Sequence, residues 1–149
     1  MKTIPVAELS GRALDWAVAM AQGYKPARWV KRQWGRELVI APERTFSAML
    51  MTEDGRSLTW RCFNPTENWA QGGMLLDYYN INLRQETRAY RTESGVEGTQ
   101  HLGWVAYKTQ PHYWMHPVLY RGHSKPEAVM RCLVGSILGE SVEVPDAID

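Results

Sequence analysis

The run Asn64-Pro65-Thr66-Glu67-Asn68-Trp69-Ala70-Gln71-Gly72-Gly73 brings amide side chains, an indole and a glycine pair into one short stretch. These groups suit the binding of a nucleotide-like ligand. Trp69 supplies a flat surface on which a base stacks, and Asn68 and Gln71 carry donors and acceptors for a base edge or a ribose. Gly72 and Gly73 can adopt positive φ and leave backbone N–H groups open to a phosphate. The apolar Met74-Leu75-Leu76 that follows can open a short helix whose N-terminus favours an anion. The competing reading is a tight turn that plugs Trp69 into the core.

A second grouping is basic. Lys25, Arg28, Lys31, Arg32 and Arg36 follow one another with no acid among them, and Trp29 and Trp34 are interleaved. Basic groups neutralise phosphates while indoles stack on bases, so Arg28 and Arg32 join the candidate ligand residues. The same pattern also suits a solvated face whose tryptophans turn inward. Trp104, beside Gly103, is a further candidate because an indole next to glycine is an uneasy core residue. Arg12 and Asp15 are three apart on an expected helix. They form either a surface ion pair worth ~0.2–0.5 kcal/mol or a pair turned inward to orient a loop.

Other chemistries find little support. His112 and His116 are four apart, but Pro111 and Pro117 bracket them, no Glu lies between them, and His101 and His123 are isolated, so no metal site is expected. No G-x-S-x-G, P-loop or G-x-G-x-x-G occurs, and neither cysteine sits in a nucleophile signature. Glu53 and Asp54 fall in a turn, as solvated carboxylates do. The expectation is a protein that is not an enzyme and carries no cofactor.

Composition narrows the class further. A chain of 149 residues with 44% hydrophobic content is expected to form a single domain over 1–149. The net charge of +1 gives no global attraction to nucleic acid or membrane. Cys62 and Cys132 lack a C-x-x-C spacing and read as reduced core thiols of a cytosolic protein. No apolar run is long enough to span a bilayer. Seven Trp and seven Tyr against two Phe favour half-buried pockets and interfaces over a dry interior.

The elements that must position these residues read as α+β, a small antiparallel sheet packed against an N-terminal and a C-terminal helix. Apolar spacing predicts a first helix over 7–22 with Gly23 just past its end. The apolar run 37–41 reads as a first short strand or a buried extended segment. A hairpin over 46–51 and 58–63 turns at Asp54-Gly55. Residues 74–79 suit a turn or two of helix, 81–92 alternate poorly, and 102–109 read as a strand closing the sheet. The loop 110–122, rich in Pro, His and Tyr, should pack on this fold or on a neighbouring subunit, which makes a homo-oligomer an expectation. Ser124-Lys125-Pro126-Glu127 has the form of a capping box, with Val129, Met130, Leu133, Val134, Ile137 and Leu138 on one face before Gly139. From about 140 onward an acidic, solvated tail is expected.

Three segments together carry a resemblance: Glu8 through Ala19 (ELSGRALDWAVA), Asn68-Trp69-Ala70-Gln71-Gly72-Gly73, and Met130-Arg131-Cys132-Leu133-Val134 with Leu138-Gly139 through Val142-Glu143-Val144-Pro145-Asp146. In these the chain resembles the phage NinX-like family, a domain of unknown function. The resemblance implies a small phage or prophage protein acting in the bacterial host cytoplasm, and it supplies no activity or catalytic residue. Set beside the residues, it favours a non-enzymatic protein that sequesters a small nucleotide-derived ligand, such as a host immune signal of the cyclic nucleotide or cyclic ADP-ribose type. The alternative is a nucleic-acid accessory protein binding DNA or RNA through 25–36, and a third reading is a protein that caps a host protein through its aromatic loop.

Overall fold

The computed structural model describes residues 1–23, 64–110, 112 and 114–146, and the backbone alone of 28–32, 35–40 and 61–62. The two ends of the described chain meet. Strand β1 (Lys2–Pro5) pairs antiparallel with β8 (Ser141–Val144), Ile4 opposite Val142 and Lys2 opposite Val144. Val142 and Val144 are buried while Ser141 and Glu143 are exposed, the two-residue period of a half-buried strand. The stretch expected as a solvated tail is therefore a strand. Its acids do face solvent, and they occupy the outward positions that make the intervening valines easy to overlook. Asp146 accepts a hydrogen bond from the Met1 amino group at 2.6 Å.

A 3-10 turn (Val6–Glu8) leads to helix α1 (Gly11–Ala21), which starts later than residue 7 because Val6–Glu8 closes on itself through Leu9 N–H to Val6 O. Leu14, Trp16, Ala17, Val18 and Ala19 are buried along it. Gly23 follows the helix at φ +75°, the left-handed residue expected there.

Strands β2 (Arg28–Arg32), β3 (Gly35–Ile40) and β4 (Arg61–Cys62) form one antiparallel sheet in that order. The short strand read over 37–41 is β3, and the basic segment before it is its antiparallel neighbour. The hairpin read around Asp54-Gly55 lies outside the described residues except for Arg61 and Cys62.

The third sheet runs β5 (Ile81–Arg91), β6 (Glu97–Lys108), β7 (Tyr120–Gly122), again antiparallel. Ile81, Leu83, Trp104, Ala106 and Tyr120 join the core from one face. Farther out the register shifts between Glu86 and Thr87, leaving Leu102 without a partner, and Gly103 takes φ +135°. Beyond this bulge almost every residue of both strands is exposed. With neither face buried, nothing imposes a two-residue hydrophobic period, which is why 81–92 alternate poorly.

Two further helices, α2 (Trp69–Tyr78) and α3 (Lys125–Leu138), complete the fold, and the α+β expectation holds: antiparallel strands packed with an N-terminal helix, a C-terminal helix and a shorter middle one. Ser124 caps α3, its hydroxyl accepting the Glu127 N–H at 3.3 Å, while the Glu127 carboxylate accepts the His123 N–H at 3.4 Å. Ala128, Val129, Met130, Cys132, Leu133 and Val134 are buried. Ile137 and Leu138 are exposed, so the buried face ends a turn earlier than the apolar spacing suggests.

Two glycines let α3 approach the sheet. A Cβ on Gly122 would collide with the Ala128 backbone, and one on Gly135 would run into the Tyr120 ring. Backbone cannot yield as a ring can. Gly122→Ala should therefore destabilise the fold by about 1–3 kcal/mol and Gly135→Ala by less, a ranking that thermal melts of the two variants would check.

Candidate functional site

The candidate site is built on a turn that runs into a capped helix. Glu67 N–H and Asn68 N–H both donate to Asn64 O, at 3.0 and 2.8 Å. Asn68 Oδ1 then accepts the Ala70 N–H at 3.0 Å, the N-cap bond that satisfies one of the helix's first open donors. Gln71 Oε1 reaches back to accept the Asn64 N–H at 3.1 Å. With these bonds in place α2 begins at Trp69, ahead of Met74.

Gly72 and Gly73 are consequently helical and do not take positive φ. Gly72 N–H donates to Asn68 O at 3.0 Å, so the open N–H pair expected for a phosphate is absent from this backbone. The glycines have a packing role instead. A Cβ on Gly72 would lie 2.8 Å from Pro65 O and 3.3 Å from Trp69 Cε3, and one on Gly73 would lie 3.4 Å from Trp69 Cε2. The indole thus lies along its own helix over two residues without side chains. It is 41% exposed, which the core-plug reading does not allow.

Beneath the turn sits Asp15 of α1, only 4% exposed. Its Oδ1 accepts the Thr66 N–H and its Oδ2 the Thr66 hydroxyl, both at 3.0 Å. Burial pushes the Asp15 carboxyl up to about 7; the two Thr66 bonds oppose that shift and the Glu67 charge adds to it. Of the two readings for Arg12 and Asp15, the carboxyl takes the inward one and orients the loop, while Arg12 stays exposed and forms no ion pair with it. Next to Asp15, Trp16 Nε1 is buried without a hydrogen-bond partner among the described residues.

The other candidates lie elsewhere. Trp104 is half-buried, with Lys125 Nζ 4.7 Å from its ring centroid and the His101 ring edge-on at 5.6 Å, so one of its stacking positions is already taken by a cation. Gln85 Nε2 lies 2.6 Å from His101 Nδ1 in the same group. Arg28 and Arg32 are the first and last residues of β2, opposite Val39 and Gly35; their side chains lie outside the described residues. Asn68, Trp69, Gln71, Gly72 and Gly73 are together at the start of α2, and Trp104 belongs to a separate cluster at the start of α3.

Among the described residues no group of His, Cys, Asp and Glu is arranged to hold a metal, and no helix is long and apolar enough to cross a membrane. His112 stacks on Trp114 at 5.1 Å. Trp114 is nonetheless 65% exposed, so the aromatic loop does not bury it within the chain. Cys132 is a free, buried thiol raised by burial to about 11, as expected of an inert core cysteine.

The chain belongs to the bacteriophage P22 NinX family, whose model matches residues 5–136, from the end of β1 into α3. No curated protein matches it.

The raised Asp15 carboxyl has a pH consequence. Between the ordinary carboxylate value of 3.8 and about 7 the folded chain holds a proton that the unfolded chain releases. Stability should therefore fall as pH rises through that window, by up to about 1.4 kcal/mol per pH unit, and level off above it. Asp15→Asn removes the ionisation and keeps a side-chain carbonyl for the Thr66 N–H. Melts from acid to mildly alkaline pH should show the wild-type decline flattened in the variant.

Proposed function

We propose that this member of the bacteriophage P22 NinX family is a non-enzymatic protein of the bacterial cytoplasm that sequesters a small nucleotide-derived ligand at the start of α2, the ligand being a host immune signal of the cyclic nucleotide or cyclic ADP-ribose type. The observation that carries this reading is the Trp69 indole, half-exposed and seated over Gly72 and Gly73. An indole already laid against its helix loses little freedom when a base stacks on it. Because Asn68 Oδ1 is committed to the Ala70 N–H, the Asn68 amide is oriented to offer its nitrogen to a base edge or ribose. The first turn of α2 favours a phosphate through its dipole, a role that falls to the helix start now that the glycine N–H groups are accounted for. Arg28 or Arg32 would supply the neutralising charge, and the lack of a nucleophile or phosphate-hydrolysing motif in the sequence supports binding over turnover.

The purified chain should be incubated with a panel of nucleotide signals, freed of unbound material and heat-denatured. Intact ligand in the supernatant is the expected result; a hydrolysed product would replace sequestration by catalysis. Trp69→Ala should weaken binding by about 1–3 kcal/mol and leave the melting temperature nearly unchanged, since the indole is not in the core. Calorimetry and a melt on that variant check both halves.

One observation favours a second reading. The register of β2 and β3 puts Lys31 directly opposite Arg36, a like-charge pairing that costs stability unless an anion relieves it. A DNA or RNA strand bound there should show steep salt dependence, near ~0.7–0.9 in log K against log salt per phosphate contacted. Ligand binding at Trp69 should respond weakly. Titrations at several salt concentrations separate the two, with weak salt dependence expected.

A further inference from the structure

The bulge of β6 decides what stands beside Trp104. On a regular strand His101 and Trp104, three apart, would point to opposite faces of the sheet. The register instead pairs Gln85 with Trp104 and Thr87 with His101 and leaves Leu102 out, so both rings stand on one side, the side on which α3 begins. Gly103 makes this possible. It takes φ +135°, and a Cβ there would lie 2.8 Å from the Gly122 carbonyl, where β7 hands over to α3.

Two hydrogen-bond donors are held at this point with no acceptor given to them. Lys125 Nζ lies 4.7 Å from the Trp104 ring centroid, a position that the ring's quadrupole favours and that leaves the ammonium with N–H groups to spare. No carboxylate pairs with Lys125 among the described residues, and the acid nearest to it along the chain, Glu127, is held by Arg131 Nη1 at 2.7 Å. The His101 ring stands edge-on to the same indole at 5.6 Å. The Gln85 amide nitrogen, 2.6 Å from His101 Nδ1, can only donate, so Nδ1 accepts and the ring proton is on Nε2. The contacts within the chain therefore use the indole face and Nδ1. They fix the ammonium and the Nε2–H in place and consume neither.

We propose that Lys125 and His101, gathered around Trp104, form a second binding site, which takes the phosphate monoester of a small molecule. A phosphate monoester brings close to two negative charges and three strong acceptor oxygens to an ammonium and a fixed N–H. A carboxylate or a phosphate diester brings one charge and two such oxygens. Trp104 is the floor that holds the ammonium, and Gln85 is a positioning residue acting through the His101 proton. The site stands apart from the start of α2 and does not depend on the reading given to Trp69.

Inorganic phosphate titrated into the full chain at constant ionic strength, followed by NMR, should move the His101 ring and Trp104 indole N–H signals along one saturable curve. Acetate and dimethyl phosphate should bind about tenfold more weakly or worse, as expected when a charge-assisted hydrogen bond is missing. Before phosphate is added, the nitrogen shifts of the His101 ring should report a proton on Nε2. Lys125→Met keeps the stem on the indole, removes the ammonium and should weaken phosphate by about tenfold or more. Gln85→Leu should spread the His101 proton over both ring nitrogens and weaken phosphate less. Trp69→Ala should leave the titration unchanged, which separates failure here from failure of the ligand reading at α2. The proposal is overturned by a wild-type chain without saturable phosphate binding, by a His101 proton on Nδ1, or by acetate or dimethyl phosphate binding as tightly as phosphate. A Lys125→Met variant that melts like wild type and binds phosphate as tightly overturns it too, as does loss of phosphate binding in Trp69→Ala.

Discussion

A carboxyl of α1 fixes where α2 begins. Asp15 holds both the backbone and the hydroxyl of Thr66, fifty-one positions along the chain, and so pins the turn whose Pro65 is fully buried. Pro65 O in turn leaves no room for a side chain at Gly72, where a Cβ would lie 3.5 Å from Met130 Cε of α3. Three helices are thereby locked at one point. The carboxyl is not a cheap device for this, since hydrogen bonds to a charged group are worth roughly 1.5–3 kcal/mol each and burial still outweighs them, as its rise to about 7 indicates. The arrangement exchanges some stability at neutral pH for a fixed turn, and the exposed indole of Trp69 depends on that turn for its position.

What the sequence reveals follows from which signals are local. The last helix was legible because its cap, its apolar face and its terminating glycine all fall within one short stretch, and the first helix because Gly23 marks its end. The distal part of β5 and β6 was not, because a ribbon exposed on both faces has no hydrophobic alternation to read. β8 was hidden by Glu143, whose outward position leaves only Val142 and Val144 to announce a strand. β1 has only Ile4 as a partly buried apolar side chain.

The candidate site divides in the same way. The clustering of Asn68, Trp69, Gln71, Gly72 and Gly73 was visible, since adjacency in sequence guarantees adjacency in space. Their conformation was not, because a glycine required for close packing looks the same in sequence as one required for positive φ. The tie between Asp15 and Thr66 could not be read at all: its only local trace is an acid within the otherwise apolar run Leu14–Ala19. Trp104 was separated from the others by a contact with Lys125, a pairing that arises only once α3 is laid across the sheet.

The ribbon of β5 and β6 poses a physical problem, which Arg121 at 3.0 Å from the Glu86 carboxylate and Arg84 over the Tyr107 ring meet at its base. A two-stranded hairpin without a packed face is marginal in water. Its internal supports are modest: Arg91 and Glu97 approach to 3.9 Å while both remain largely exposed, a pairing worth about 0–1 kcal/mol at most. Tyr90 lies over Gly98, covering a position with no side chain of its own, and Thr92 ties the turn through its hydroxyl to Val96 N–H. Arg84, Glu86, Arg88 and Arg91 of β5 then do what charged side chains do on a long strand edge, favouring water over the pairing of another chain.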